Sequence, residues 1–90
     1  MRVTRGSFDP AKADDVVKAM QDVNEAIRRR SGYRTLQGGV DRSGGTLVVA
    51  TTWDSEEAAN FQREALGDAF ERVVALDVQL EPPALYEMVE

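Results

Sequence analysis

Ninety residues carrying a net charge of −5, with neither cysteine nor histidine, are expected to form one domain over residues 1–90 with a modest core, since a chain this short buries only about 60% of its unfolded surface. The acidic balance disfavours non-specific nucleic-acid binding, which needs a basic surface. The missing residue types exclude disulfides, Ser-His-Asp and Cys-His catalysis, and the ordinary zinc and haem ligand sets.

Residues 2–8 read as a strand, with Val3 and Phe8 on opposite faces. Asp9-Pro10 opens a helix, Asp9 as cap and Pro10 at the first helical position. Val16, Met20, Val23 and Ile27 then form an apolar stripe at helical spacing, and Ser31-Gly32 ends the helix. The basic run Arg28-Arg29-Arg30 falls at its carboxyl end, where positive charge complements the helix dipole; a phosphate- or carboxylate-binding role is the other reading. Residues 33–41 form a second strand, and the paired Gly38-Gly39 inside it predicts a bulge or a close approach by another backbone or a ligand.

Arg42-Ser43-Gly44-Gly45 is a hairpin turn into the strand 46–53. Along that strand Leu47, Val49 and Trp53 point one way and Val48 and Ala50 the other, so both faces need cover. Asp54 and Glu57 read as a capping pair for a helix carrying Ala58, Phe61 or Gln62, Ala65 and Leu66 on one side. Gly67-Asp68 breaks it, and a shorter helix with Phe70, Val73, Val74 and Leu76 follows, Asp68 as its cap. Glu81-Pro82-Pro83 is an extended connector to a last strand at 84–89. No apolar run approaches the ~18 residues of a membrane span, and the amino-terminal residues lack the apolar stretch of a leader, so a cytoplasmic protein is the expectation.

The order strand, helix, strand, strand, helix, strand is the α+β, ferredoxin-like βαββαβ sandwich: a four-stranded antiparallel sheet, first and third strands central, helices on one face. Two helical regions cover one face, and a second copy is expected to cover the other. The element order, together with Trp53-Asp54-Ser55-Glu56-Glu57-Ala58, resembles the dimeric α+β barrel superfamily, and within it the antibiotic-biosynthesis-monooxygenase-like domains. The resemblance implies a homodimer of face-to-face sheets with a cavity between each sheet and its helices. Family members include cofactor-independent oxygenases of aromatic polyketides, haem-degrading enzymes and proteins with no assigned reaction. The lack of histidine argues against haem degradation and aligns the chain with the branch whose function is unassigned. Gln62 stands near where the haem-degrading members carry tryptophan, and no catalytic residue carries over from the family.

Six residues are candidates for substrate binding, each with a competing structural reading. Arg5, on a middle strand, either meets a ligand carboxylate or enolate or pairs with Glu87. Trp53 either stacks on a substrate ring or fills the core. Tyr33 and Tyr86 either donate to a developing oxyanion or make structural hydrogen bonds. Asn60 and Gln62 either bind a carbonyl oxygen or are solvated. No metal or cofactor is expected, nor a membrane or nucleic-acid partner. The expected function is binding of a small aromatic ligand, with cofactor-independent monooxygenation of an aromatic or polyketide-like substrate. The alternative is a non-catalytic ligand-sensing or structural dimerisation module.

Overall fold

The computed structural model describes residues 1–89. Its elements are β1 (Arg2–Ser7), α1 (Ala13–Arg28), β2 (Tyr33–Asp41), β3 (Thr46–Trp53), α2 (Glu56–Ala59), α3 (Asp68–Ala75), β4 (Gln79–Leu80) and β5 (Ala84–Leu85), with 3-10 turns at Pro10–Lys12 and Arg63–Leu66. The sheet is antiparallel in the order β2-β3-β1-β4, and β5 pairs with β1 on the same side as β4. The first and third strands are central, as the ferredoxin-like order requires.

Asp9 caps the chain where expected, its Oδ1 accepting from the Ala11 N–H at 3.0 Å, but the turn it starts is 3-10 and becomes α-helical only at Ala13. The stripe on α1 is seated, with Val16 only 1% exposed and Ala13, Ala19 and Ile27 buried beside it. The hairpin tip is tied to the first strand: Gly45 has φ of 66°, and its carbonyl accepts from Phe8 N–H at 2.8 Å.

Three local expectations are corrected. The irregularity in β2 falls between Tyr33 and Thr35, not at Gly38-Gly39. Gly38 lies under α1, where a Cβ would meet Asn24 Nδ2 at 3.5 Å and Met20 Cε at 3.8 Å, ordinary contact distances. The cap of α2 is Ser55, whose Oγ accepts from Ala58 N–H at 3.1 Å; Asp54 pairs with Arg34 at 3.1 Å. Asp68 is the first residue of α3, behind Gly67, which takes φ of 64°.

The last strand is divided and starts earlier than expected. Gly6 faces Leu80 and Val3 faces Ala84, so three steps on β1 match four on the edge. The extra residue falls at Pro82-Pro83, which have no N–H to give the ladder and mark a bulge there. Pairing reaches the amino terminus, where Tyr86 N–H donates to Met1 O at 2.7 Å.

The helices lie against one face of the sheet, over two packed clusters. At the hairpin end, Phe8, Ala13, Val16, Ala19, Leu47, Val73 and Val78 form a chiefly aliphatic core. At the other end, Ile27, Trp53, Ala59 and Phe61 form a core rich in aromatic rings. Val23 packs against both. On the opposite face Arg5 is exposed, Val48 is 38% exposed, and Ala50 and Thr52 are half-buried.

Candidate functional site

A cavity of about 70 Å³ opens between the sheet and the helices, along the seam between the two cores. Leu47, Val49 and Thr51 form its floor on β3, and Met20, Val23, Asn24 and Ile27 of α1 line it from above. Phe61, Arg63 and Leu66 make its outer wall. Arg2 and Thr4 reach it from β1 because even-numbered residues of that strand face the helices, in register with Thr51 and Val49.

Arg2 is the organising residue. It is 5% exposed, and its Nη1 donates to the carbonyls of Ala59 at 3.0 Å and Phe61 at 2.7 Å. In an uninterrupted helix those carbonyls would accept from residues 63 and 65. Arg2 takes their place, so α2 stops after one turn and Phe61 turns inward. The Arg2 guanidinium lies 4.0 Å from the centre of the Phe61 ring, and that of Arg30 lies 4.6 Å away. Phe61 in turn packs at 5.3 Å against Trp53, whose Nε1–H donates to Thr51 Oγ1 at 2.7 Å.

The electrostatics are one-sided. Among the described residues five ion pairs form, Lys12–Asp77, Arg28–Glu25, Arg34–Asp54, Arg42–Asp14 and Arg72–Asp22, and none includes Arg2, Arg30 or Arg63. Burial, and then the neighbouring charges of Arg63 and Arg30, pull the Arg2 guanidinium below the ordinary arginine range. Burial also lowers Arg63, with Glu64 acting in the opposite direction. Among the described residues two side-chain polar atoms are buried without a hydrogen-bond partner, Asn24 Oδ1 and Arg30 Nε. Asn24 belongs to the cavity lining.

No protein-family model matches the sequence, and no curated protein matches it significantly. Solved structures do match. A Deinococcus radiodurans protein provisionally assigned as an antibiotic biosynthesis monooxygenase superposes with a TM-score of 0.73 at 20% identity, over 100% of this chain and 94% of that one. A structure described as an antibiotic biosynthesis monooxygenase gives 0.69 at 21% identity, over 99% and 98%. A variant of SnoaB, a cofactor-independent oxygenase from Streptomyces nogalater, gives 0.64 at 17% identity, over 98% and 92%. The chain has the fold of these three structures. At these identities the likeness is one of fold and assigns no residue a role.

Within this fold the six residues marked from sequence fall in different places. Arg5 projects on the open face and, among the described residues, forms no ion pair with Glu87 or any other acid. Trp53 is buried in the aromatic core, and Tyr33 meets it edge-on at 6.0 Å. Asn60 and Gln62 are exposed where α2 ends and the 3-10 turn begins. Tyr86 is exposed and shares with Trp53 a second groove, of about 480 Å³, that also includes Met1, Leu85 and Met88. None of the six lines the helix–sheet cavity.

The residues that do line it, Arg2, Asn24 and Arg63, were not singled out from sequence. The available signal for Arg2 was parity: Phe8 anchors the even-numbered positions to the core, which places Arg2, Thr4 and Gly6 inward with it. Arg63 carried no such signal, because its direction depends on the helix breaking at Asn60.

Proposed function

We propose that this protein is a small-molecule-binding barrel that works as a homodimer, and that it oxygenates an enolisable aromatic or polyketide-like substrate without a cofactor. The observation that carries the reading is an apolar cavity lined in part by two arginines, Arg2 and Arg63, neither of which pairs with an acid among the described residues. Such a site favours a substrate that becomes negatively charged as it reacts. In the proposed reaction a ring methylene beside a carbonyl loses a proton, and the resulting carbanion reduces dioxygen. The methylene becomes a carbonyl and the second oxygen atom leaves as water, with all four electrons supplied by the substrate. Arg2 and Arg63 stabilise the enolate.

The volume of about 70 Å³ is far below the ~300 Å³ of a site that encloses a drug-sized ligand. Entry of a ring therefore requires the outer wall, Phe61 to Leu66, to move outward. That segment is suited to the task, since it contains no α-helix and ends at Gly67. Dimerisation is supported by the exposed Val48 on the open face, with Ala50 beside it on β3. Light scattering at micromolar concentration is expected to give twice the chain mass.

A second reading, a ligand-sensing or structural dimer, is favoured by one feature: among the described residues neither carboxylate nor imidazole lines the cavity to act as a base. Oxygen uptake with an anthrone as substrate separates the two. Oxygenation predicts turnover above the buffer rate, lost in Val49→Phe, which fills the cavity while leaving the fold intact by circular dichroism. Uptake at the buffer rate with the unaltered protein would rule out oxygenation of this substrate class.

A further inference from the structure

We propose that the cavity recognises a ligand with two different ends: an anionic group held by Arg2 and Arg63, and a hydroxyl or N–H donor held by Asn24 Oδ1. The inference rests on the reading of the cavity as a ligand site and adds the ligand's chemical class, a small aromatic acid with a polar donor opposite its acid group.

The first end follows from how the charges are distributed. Acidic side chains outnumber basic ones 16 to 11 in this chain. Even so, Arg2 and Arg63 line an apolar cavity with no acid paired to either among the described residues, Arg63 donating only to the carbonyl of Glu81, and Arg30 stands over Phe61. Five other cations on the surface have found acids. An unpaired buried guanidinium is costly, and Arg2 recovers only part of that cost from two neutral carbonyls, both bonded through Nη1. A carboxylate entering the cavity would supply the missing charge through the planar fork that arginine offers.

The second end follows from an unmet acceptor. Asn24 lines the cavity, and its Oδ1 is buried without a hydrogen-bond partner among the described residues. A buried carbonyl oxygen left unpaired loses its hydration for nothing in return, and a ligand donor would restore the bond. Asn24 lies over Gly38 on β2, whereas Arg2 rises from β1 in the next row of paired residues. Two strand spacings and one row separate them, about 10 Å across the strands and roughly 7 Å along them. Allowing for the reach of both side chains, the gap suits one ring with substituents at opposite ends. The lining between them is apolar, from Val23, Ile27, Val49 and Phe61.

The test is calorimetric titration with three probes, 4-hydroxybenzoate, its neutral isostere 4-hydroxybenzamide, and benzoate, which lacks the donor. The proposal expects 4-hydroxybenzoate to bind about tenfold or more tightly than the amide, and benzoate to fall between the two or below. Arg63→Gln is expected to weaken the acid about tenfold and the amide by less, so that the preference for the acid shrinks. Arg2→Lys keeps the charge, and so the fold, but is expected to weaken the acid by losing the fork. Asn24→Leu is expected to bring 4-hydroxybenzoate down to the level of benzoate. If the amide binds as well as the acid and shifts the amide resonances of Met20, Leu47 and Val49, the cavity is a ligand site and this proposal is wrong. If no probe binds at millimolar concentration, the cavity reading falls as well.

Discussion

The two cores of this protein do the same work by different means. At the hairpin end, Val16, Ala19, Leu47 and Val73 interlock as aliphatic side chains from regular elements, joined by Val78 from the turn before β4. At the other end, Trp53 and Phe61 pack on a charged side chain, and the backbone between Asn60 and Gly67 leaves the helix so that Phe61 can reach them. The aliphatic core needs only shape and apolar area. The aromatic core needs Arg2 to satisfy two carbonyls that a broken helix would strand. The cavity sits between them because a regular and an irregular packing do not mesh without a gap.

The comparison can be broken most severely at Phe61. Phe61→Ala removes the ring that Trp53, Arg2 and Arg30 all contact, and a loss of about 3–5 kcal/mol is expected in urea unfolding. Retention of more than about half the stability of a small domain would mean that this end of the molecule is held elsewhere. Next in size is Arg2→Met, which strips both carbonyls of their donor and is expected to cost about 2–3 kcal/mol. Its distinguishing mark is local: amide exchange should quicken at residues 60–66 while α1 stays protected. Uniform loss of protection would contradict the role given to Arg2.

The aliphatic side is probed by Val16→Ala. Two buried methyl groups disappear from the most deeply enclosed side chain, for about 2 kcal/mol with the cavity term included. Exchange at residues 60–66 should keep its unaltered ratio to the rest, which is the reverse of the Arg2 result. The smallest effect concerns the cap. Ser55→Ala is expected to cost about 1 kcal/mol, whereas Asp54→Ala, which breaks only an exposed pair with Arg34, should stay within about 0.5 kcal/mol. Thermal melts of the two variants side by side decide between serine and aspartate as the residue that starts α2.

How much was legible beforehand follows the same division. The α1 stripe and the strand 46–53 could be read directly, because periodicity reports which face is buried without reference to anything distant. The capping of α2 by Ser55 instead of Asp54 was a one-residue error of the kind that competing cap residues produce. The early end of α2 was not legible. Residues 54–66 have ordinary helix-forming content, and the element that overrides them, Arg2, lies 57 residues away from Ala59 in the chain. For the same reason Asn60, Gln62 and Tyr86, read as possible ligand contacts, stand at the surface, and Arg63 reaches the cavity only because the backbone turns.

The sequence by itself determined the order of the elements, the antiparallel sheet with its central first and third strands, and the apolar faces that bring helices to one side. These depend on local spacing and on the handedness of connections, which any chain of L-residues shares. Tertiary structure alone decided that α2 is a single turn, that Arg63 reaches the cavity, and that Arg2, Arg30 and Arg63 come together with no ion pair to any of them among the described residues. A side chain's charge can be read from its letter. Which other charges it meets, and how much water it loses, are set only when distant segments close around it.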